Sequence, residues 1–380
     1  MTPRERLLET LRGNVPDRVP VAPFVQEEYL CWHYPHKASV DRVVDAAELA
    51  EELDFDLMTK HRKFERPHFL RRSFPNWEVR ESAWSADGVR YTQLQIVTPR
   101  RTLTELEAAP ETGRASAGVV AATRTHLLRT REDVEAFLEF LPPVDEDTAA
   151  DMRRTAEAWH AIVGDRGVLA PWGWAGVFNF AARLRGVETL MMDPYDDPSL
   201  YGALMDRVAS AMAEYNARLG QTAIDCIGIQ GHMANSNTVS PAYFRAHVQP
   251  YEKRLIDAIR ATGTFTVYHN CGFARTFYEN YRELGMTVWE TVAEPPRGDN
   301  RLTHAKAALG DKVCLLGNLD QVDFLKRAAP AEVAEATRRI VETGKPGARF
   351  IFAASDYLEQ NTPRENVLAM IRAAKEAGKY

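Results

Sequence analysis

His269 and Cys271 put an imidazole and a thiol two positions apart, flanking Asn270 and followed by Gly272. On an extended strand, residues i and i+2 face the same side, so both groups point one way. Both are good zinc ligands, and a catalytic zinc takes about three protein ligands and keeps one position open. Zinc lowers the pKa of a bound thiol and makes it a nucleophile. The same pair also reads as a buried cysteine beside a hydrogen-bonded histidine. Candidates for a third ligand are Asp356, Glu290 and His232.

Other residues carry two readings each. Glu290 follows Trp289 as a ligand, a general base, or half of a salt bridge. Lys60 and His61 open the run Lys60-His61-Arg62-Lys63, which meets an anionic ligand or forms a solvated loop. Asp320 handles protons or caps a following helix. Trp172, Trp174 and Phe178 make an aromatic wall or pack as core. Glu27, Tyr29 and Asn318 are candidates for substrate contact.

These residues share a position along the chain's pattern. Eight short apolar runs alternate with helical stretches: Val19–Val25, Phe55–Lys60, Val168–Trp174, Cys226–His232, Thr264–Cys271, Met286–Val292, Lys312–Asn318 and Arg349–Asp356. Helices between them repeat apolar residues every three to four positions, as at Leu255, Ile256 and Ile259. Strands alternating with helices predict an α/β chain, a parallel (β/α)8 TIM barrel whose chemistry sits at the C-terminal strand ends. Nearly every predicted strand ends in a polar or ionisable residue, Gln26-Glu27-Glu28-Tyr29 after the first and Gln230-Gly231-His232 after the fourth among them. More than a hundred residues separate the second and third strands. The Asp87-Gly88 pair there, between β-rich runs Trp77–Trp84 and Val89–Leu103, predicts a hairpin. The span from about 64 to 145 is thus an insertion on one barrel occupying 1–380. Thr2 with Glu5 has capping-box form, with Pro3 at the first helical position.

Composition narrows the class. Apolar residues at 45% and charged residues at 26% suit a chain with a large core. A net charge of −6 disfavours nucleic acid as a partner. Cys31, Cys226, Cys271 and Cys314 follow no disulfide pattern, which fits a reducing cytoplasm. Cys226 and Cys314 fall within strands, as core residues. The amino-terminal residues lack the apolar stretch of a secretory signal, and no run is long enough to span a membrane. Gly-x-Gly-x-x-Gly, Walker and Gly-x-Ser-x-Gly motifs are absent, so a nucleotide cofactor or serine nucleophile gains no support.

Several segments together carry a resemblance. They are Thr-Pro-Arg-Glu-Arg at 2–6 with Pro16-Asp17-Arg18-Val19-Pro20, Leu184-Arg185-Gly186 before Asp197-Pro198, and Ser240-Pro241 with Pro250-Tyr251. His269-Asn270-Cys271-Gly272, Leu316-Gly317-Asn318-Leu319-Asp320 and Thr362-Pro363-Arg364-Glu365-Asn366 complete the set. The chain resembles the uroporphyrinogen decarboxylase superfamily of (β/α)8 barrels, which includes corrinoid-dependent, zinc-binding methyltransferases. Decarboxylases of that superfamily carry an arginine-rich segment near strand one; here it reads Phe24-Val25-Gln26-Glu27-Glu28-Tyr29, with acidic residues instead. The methyltransferase branch uses a His-x-Cys pair, matched by His269 and Cys271, plus a later cysteine. That position falls near Ser355 and Asp356, so a carboxylate, Asp356 or alternatively Glu290, is implied as third ligand. The resemblance implies zinc, a corrinoid co-substrate on or off a partner protein, a small thiol or hydroxyl acceptor, and a homodimer. The alternative is a lyase releasing CO2 from a small, aromatic or tetrapyrrole carboxylate, with Lys60, His61 and Arg62 holding it and His232 or Asp320 moving protons. A non-catalytic ligand-binding relative is the third reading.

Overall fold

The computed structural model describes residues 1–111 and 121–380. Its strands in chain order are β1 (Leu57–Met58), β2 (Glu78–Ala86), β3 (Val89–Val97), β4 (Thr102–Pro110), β5 (Ala122–Thr125) and β6 (Gly167–Val168). They continue with β7 (Cys226–Gln230), β8 (Phe265–His269), β9 (Val288–Glu290), β10 (Cys314–Leu319) and β11 (Phe350–Ala354). β7 to β11 pair in succession, all parallel, and β1 pairs β6 in parallel. Isolated bridges close the ring: Trp172 to Gly228 joins the β6 segment to β7, and Val21 to Phe352 joins the first segment to β11. Asp56 N donates to Val21 O at 2.8 Å and completes the circuit to β1. Eight parallel positions therefore form a closed TIM barrel, with helices such as Pro198–Gly220 and Arg364–Ala377 outside it.

The barrel interior holds one apolar cluster, including Met58, Val168, Cys226, Val267, Val288, Cys314 and Ile351. Cys226 and Cys314 are core residues here, as their strand positions predict, and burial pushes the Cys314 thiol up to about 12. The helix Pro3–Arg12 seals the N-terminal end, contributing Leu7 and Leu11 to that cluster. Its capping box forms between Thr2 and Glu5. The 2–6 and 16–20 segments meet at Asp56, which is fully buried. Asp56 accepts from Arg6 Nη1 at 2.6 Å, Arg18 Nη1 at 2.7 Å and Val21 N at 2.7 Å.

Between β1 and β6 stands an antiparallel sheet in the order β2-β3-β4-β5. β2 and β3 form the expected hairpin around Asp87-Gly88. The run Val89–Leu103 is two strands rather than one, broken where Thr98 Oγ1 takes up the backbone of Arg101 at 3.2 Å. Residues 112–120, within the predicted insertion, lie outside the described residues. The segment after the first barrel position is also not strand: Gln26 starts a helix, Glu27–His33, whose first turn carries Glu27 and Glu28 where the helix dipole favours acid. The helical stretch carrying Leu255, Ile256 and Ile259 begins at Pro241 and contains a π turn, Phe244–Val248, just ahead of Pro250, which has no N–H to continue a regular ladder. Among the described residues no helix is long and apolar enough to cross a membrane.

Candidate metal centre

Alternation along the strands lifts a polar layer directly above the apolar one. Two residues beyond Met58, Ala170, Val267 and Val288 come Lys60, Trp172, His269 and Glu290. They line or underlie the mouth of the barrel. A cavity of about 230 Å³ opens there, walled by Phe24, Trp172 and Tyr357, with Gln230, His232, His269 and Asp356 supplying polar groups.

His269, Cys271 and Asp356 converge in this mouth. One ligand atom from each lies within 4.8 Å of the other two, the one such metal-capable group among the described residues. Donors around a tetrahedral zinc stand roughly 3.4–3.8 Å apart, given metal–ligand distances near 2.0–2.3 Å. The three side chains would close by about 1 Å around an ion. Their chemistry fits: imidazole, thiolate and carboxylate are all zinc donors. Burial pushes the Asp356 carboxyl up, and Glu290 adds to this while His269 opposes it, so a cation between them would be welcome.

Glu290 is not part of that group. Its Oε2 lies 3.3 Å from His269 Nδ1 and 3.0 Å from Lys60 Nζ, with Glu290 and Lys60 only 1% and 2% exposed. Burial alone would raise its pKa, but the Lys60 charge and the His269 contacts hold it down at about 2. Burial works against the His269 cation too, yet bonds to Cys271 and Glu290 push that imidazole well up. With Nδ1 engaged by Glu290, Nε2 is the nitrogen left for a metal, the carboxylate–histidine arrangement common behind metal-bound imidazoles.

The remaining candidates scatter. His232 lies in the mouth, its ring 6.1 Å from that of His269; burial and the neighbouring His269 charge lower its pKa to about 4. His61 is turned away, its ring 4.4 Å from Trp159, its Nδ1 accepting from Lys63 N at 2.9 Å. Arg62 pairs with Glu65. Lys60, His61 and Lys63 are thus spent on internal partners, while Arg62 lines the mouth cavity with its guanidinium paired to Glu65. Trp172 faces the cavity, 5.5 Å from the His269 ring, whereas Trp174 is core, against Phe69, Phe180 and Tyr215. Tyr29 is fully buried behind Trp32, and Glu27 faces Arg42 at 3.5 Å. Asp320 Oδ1 accepts from Val322 N and Asp323 N in the turn ahead of the short helix Phe324–Arg327, whose N-cap is Asp323 and not Asp320. Asn318 and Asp320 line a separate cavity with Glu294 and Phe324. Gln26 and Glu28, from the polar end of the first predicted strand, also line this cavity, and Phe24 and Tyr357 join them without having been expected there. Phe24 follows from alternation, two residues past the inward Ala22, whereas Tyr357 lies beyond the last strand where no strand period reaches.

A family model described as Uroporphyrinogen decarboxylase (URO-D) matches residues 128–377. Methylcobamide:CoM methyltransferase MtbA of Methanosarcina acetivorans is 22% identical over 206 residues, 53% of this chain and 56% of that protein. Methylated-thiol–coenzyme M methyltransferase of Methanosarcina mazei is 23% identical over 199 residues, 52% of this chain and 51% of its own. Uroporphyrinogen decarboxylase of Geobacter sulfurreducens is 28% identical over 260 residues, covering 65% and 70%. The chain spans about half the length of the methyltransferases it matches. A solved methyltransferase from Methanosarcina mazei superposes with a TM-score of 0.70 at 17% identity, covering 99% of both chains, and so shares the barrel fold.

Proposed function

The chain belongs to the uroporphyrinogen decarboxylase family, and we propose that within it this protein is a zinc-dependent methyltransferase, moving a methyl group between a corrinoid and a small thiol or hydroxyl acceptor. The convergence of His269, Cys271 and Asp356 at the barrel mouth carries this reading. The methyltransferases among its relatives support it. A zinc ion held by these three would act as a Lewis acid on the acceptor's sulfur or oxygen.

The chain's own residues do the rest. Glu290, pinned by Lys60, holds His269 Nδ1 and orients the ring. His232, neutral at pH 7, hydrogen-bonds and orients the acceptor, whose proton leaves to solvent through the open mouth. Phe24, Trp172 and Tyr357 keep water from the acceptor and limit its size to what about 230 Å³ admits. A methyl-corrinoid would supply the methyl group, the acceptor's lone pair bonding to the methyl carbon while the cobalt–carbon electron pair would stay with cobalt. The corrinoid, free or on a partner protein, approaches from the open face of the mouth. The carboxylate-lyase alternative has less behind it, because Lys60 is bound to Glu290 and Arg62, which does line the mouth, is paired with Glu65.

The test is metal analysis of the full chain after zinc loading and gel filtration. One zinc per chain is expected, falling well below stoichiometry in Cys271→Ala and in Asp356→Ala. Methylcobalamin consumption with a panel of thiols, followed by absorbance, should fall in the same variants. A wild-type chain that retains no zinc would overturn the proposal.

A further inference from the structure

At the opposite end of the barrel from the mouth lies a second cavity, of about 600 Å³. Arg12, Arg260, Arg282, Lys312 and Arg349 line it, with Asp311 as its one acid. Asp311 is already committed to Arg282 through both oxygens. Arg12 pairs with Glu9 on its own helix. Among the described residues, the side chains of Arg260, Lys312 and Arg349 make no hydrogen bond or ion pair.

This concentration is unexpected in a chain of net charge −6. Helices end at this face, and cations near helix C-termini offset the carbonyl dipoles. That accounts for Arg282, which donates to Ala308 O at 2.8 Å, but not for the three uncommitted side chains. Arg349 is also held in an uncommon backbone state. Ala348 and Arg349 have φ of 54° and 51°, a left-handed conformation that costs non-glycine residues and recurs at binding sites.

We propose that this basal cavity binds a small anion carrying two adjacent phosphate groups. Guanidinium forks match phosphate oxygens two at a time, and several cations around one cavity favour a multivalent anion over a single carboxylate. Apolar Leu11 and Phe265 leave room for an organic portion beside the phosphates. This site is independent of the metal centre.

Isothermal titration of the full chain with pyrophosphate tests it. One saturable site is expected, with orthophosphate at least tenfold weaker and Arg260→Ala/Arg349→Ala at least tenfold weaker. Arg100→Ala, removing a surface arginine paired with Glu139, should leave binding unchanged. Lys312→Glu, at an exposed position, reads the same loss if the double variant fails to fold. Absence of saturable binding up to about 1 mM, or equal binding by the basal variants, overturns the proposal.

Discussion

Lys60 and Glu290 are among the most buried charged residues in the protein, and each depends on the other. Removing one partner leaves an uncompensated charge, a loss of about 3–5 kcal/mol. Lys60→Met should therefore lower stability by that amount in urea unfolding, and Lys60→Met/Glu290→Gln should recover part of it. The pH response follows the same pair. The folded Glu290 carboxyl lies at about 2, below its ordinary value. Its contribution is present above the unfolded carboxylate range and is lost as pH falls towards 2. Stability of the wild type should drop on acidification more steeply than that of Glu290→Gln, measured by thermal melts from pH 6 to pH 3. Equal slopes would remove Glu290 from this role.

Elements show a different economy at Glu252. This carboxylate, fully buried, accepts from Phe178 N at 3.1 Å and so caps the helix Val177–Arg185, which has no side-chain cap of its own. Burial pushes its pKa up to about 7, against bonds from Phe178 and Val177. A raised acid favours the folded state at low pH, and that advantage is lost as pH rises from the unfolded value through 7. Glu252→Gln should flatten the fall in melting temperature between pH 5 and pH 8. Gly176 lets this cap approach: a Cβ there would lie 2.5 Å from Gln230 O and 2.9 Å from Glu252 Oε1. Gly176→Ala should cost about 1–3 kcal/mol by overpacking, read by urea unfolding. None of this was legible in sequence, because Glu252 reads as an ordinary polar position on a helix. The parallel strands and the His269–Cys271 pair were legible because strand alternation is local. Asp356 was legible only as one of three candidates, at the end of the last predicted strand, because its distance from His269 in sequence leaves the convergence to the fold. Lys60 bonded to Glu290 was not, since nothing local links residues 230 positions apart.

At the scale of the whole molecule, closure of the barrel gathers on Asp56. It joins the N-terminal helix, the first barrel segment and β1 through Arg6, Arg18 and Val21. Asp56→Ala removes the buried acid shared by Arg6, which keeps Asp17, and the half-buried Arg18, and a loss of about 3 kcal/mol is expected with the mouth chemistry otherwise unaltered. A melting temperature within a degree of wild type would show that the ring closes without this hub. The inserted sheet also sets a timetable. β7 to β11 are joined by short crossovers, whereas the β1–β6 seam waits for a chain excursion of about a hundred residues. Contacts between near neighbours in sequence form sooner than those that must close long loops. Refolding should therefore assemble an open arc first and stitch its last seam afterwards. In pulse-labelled hydrogen exchange the Asn270 amide, bonded to Glu290 O, gains protection before the Thr59 amide, bonded to Val168 O. During that interval the half-built barrel exposes unpaired strand edges, so a refolding chain is most open to misassociation after its ligand-bearing strands are already in place.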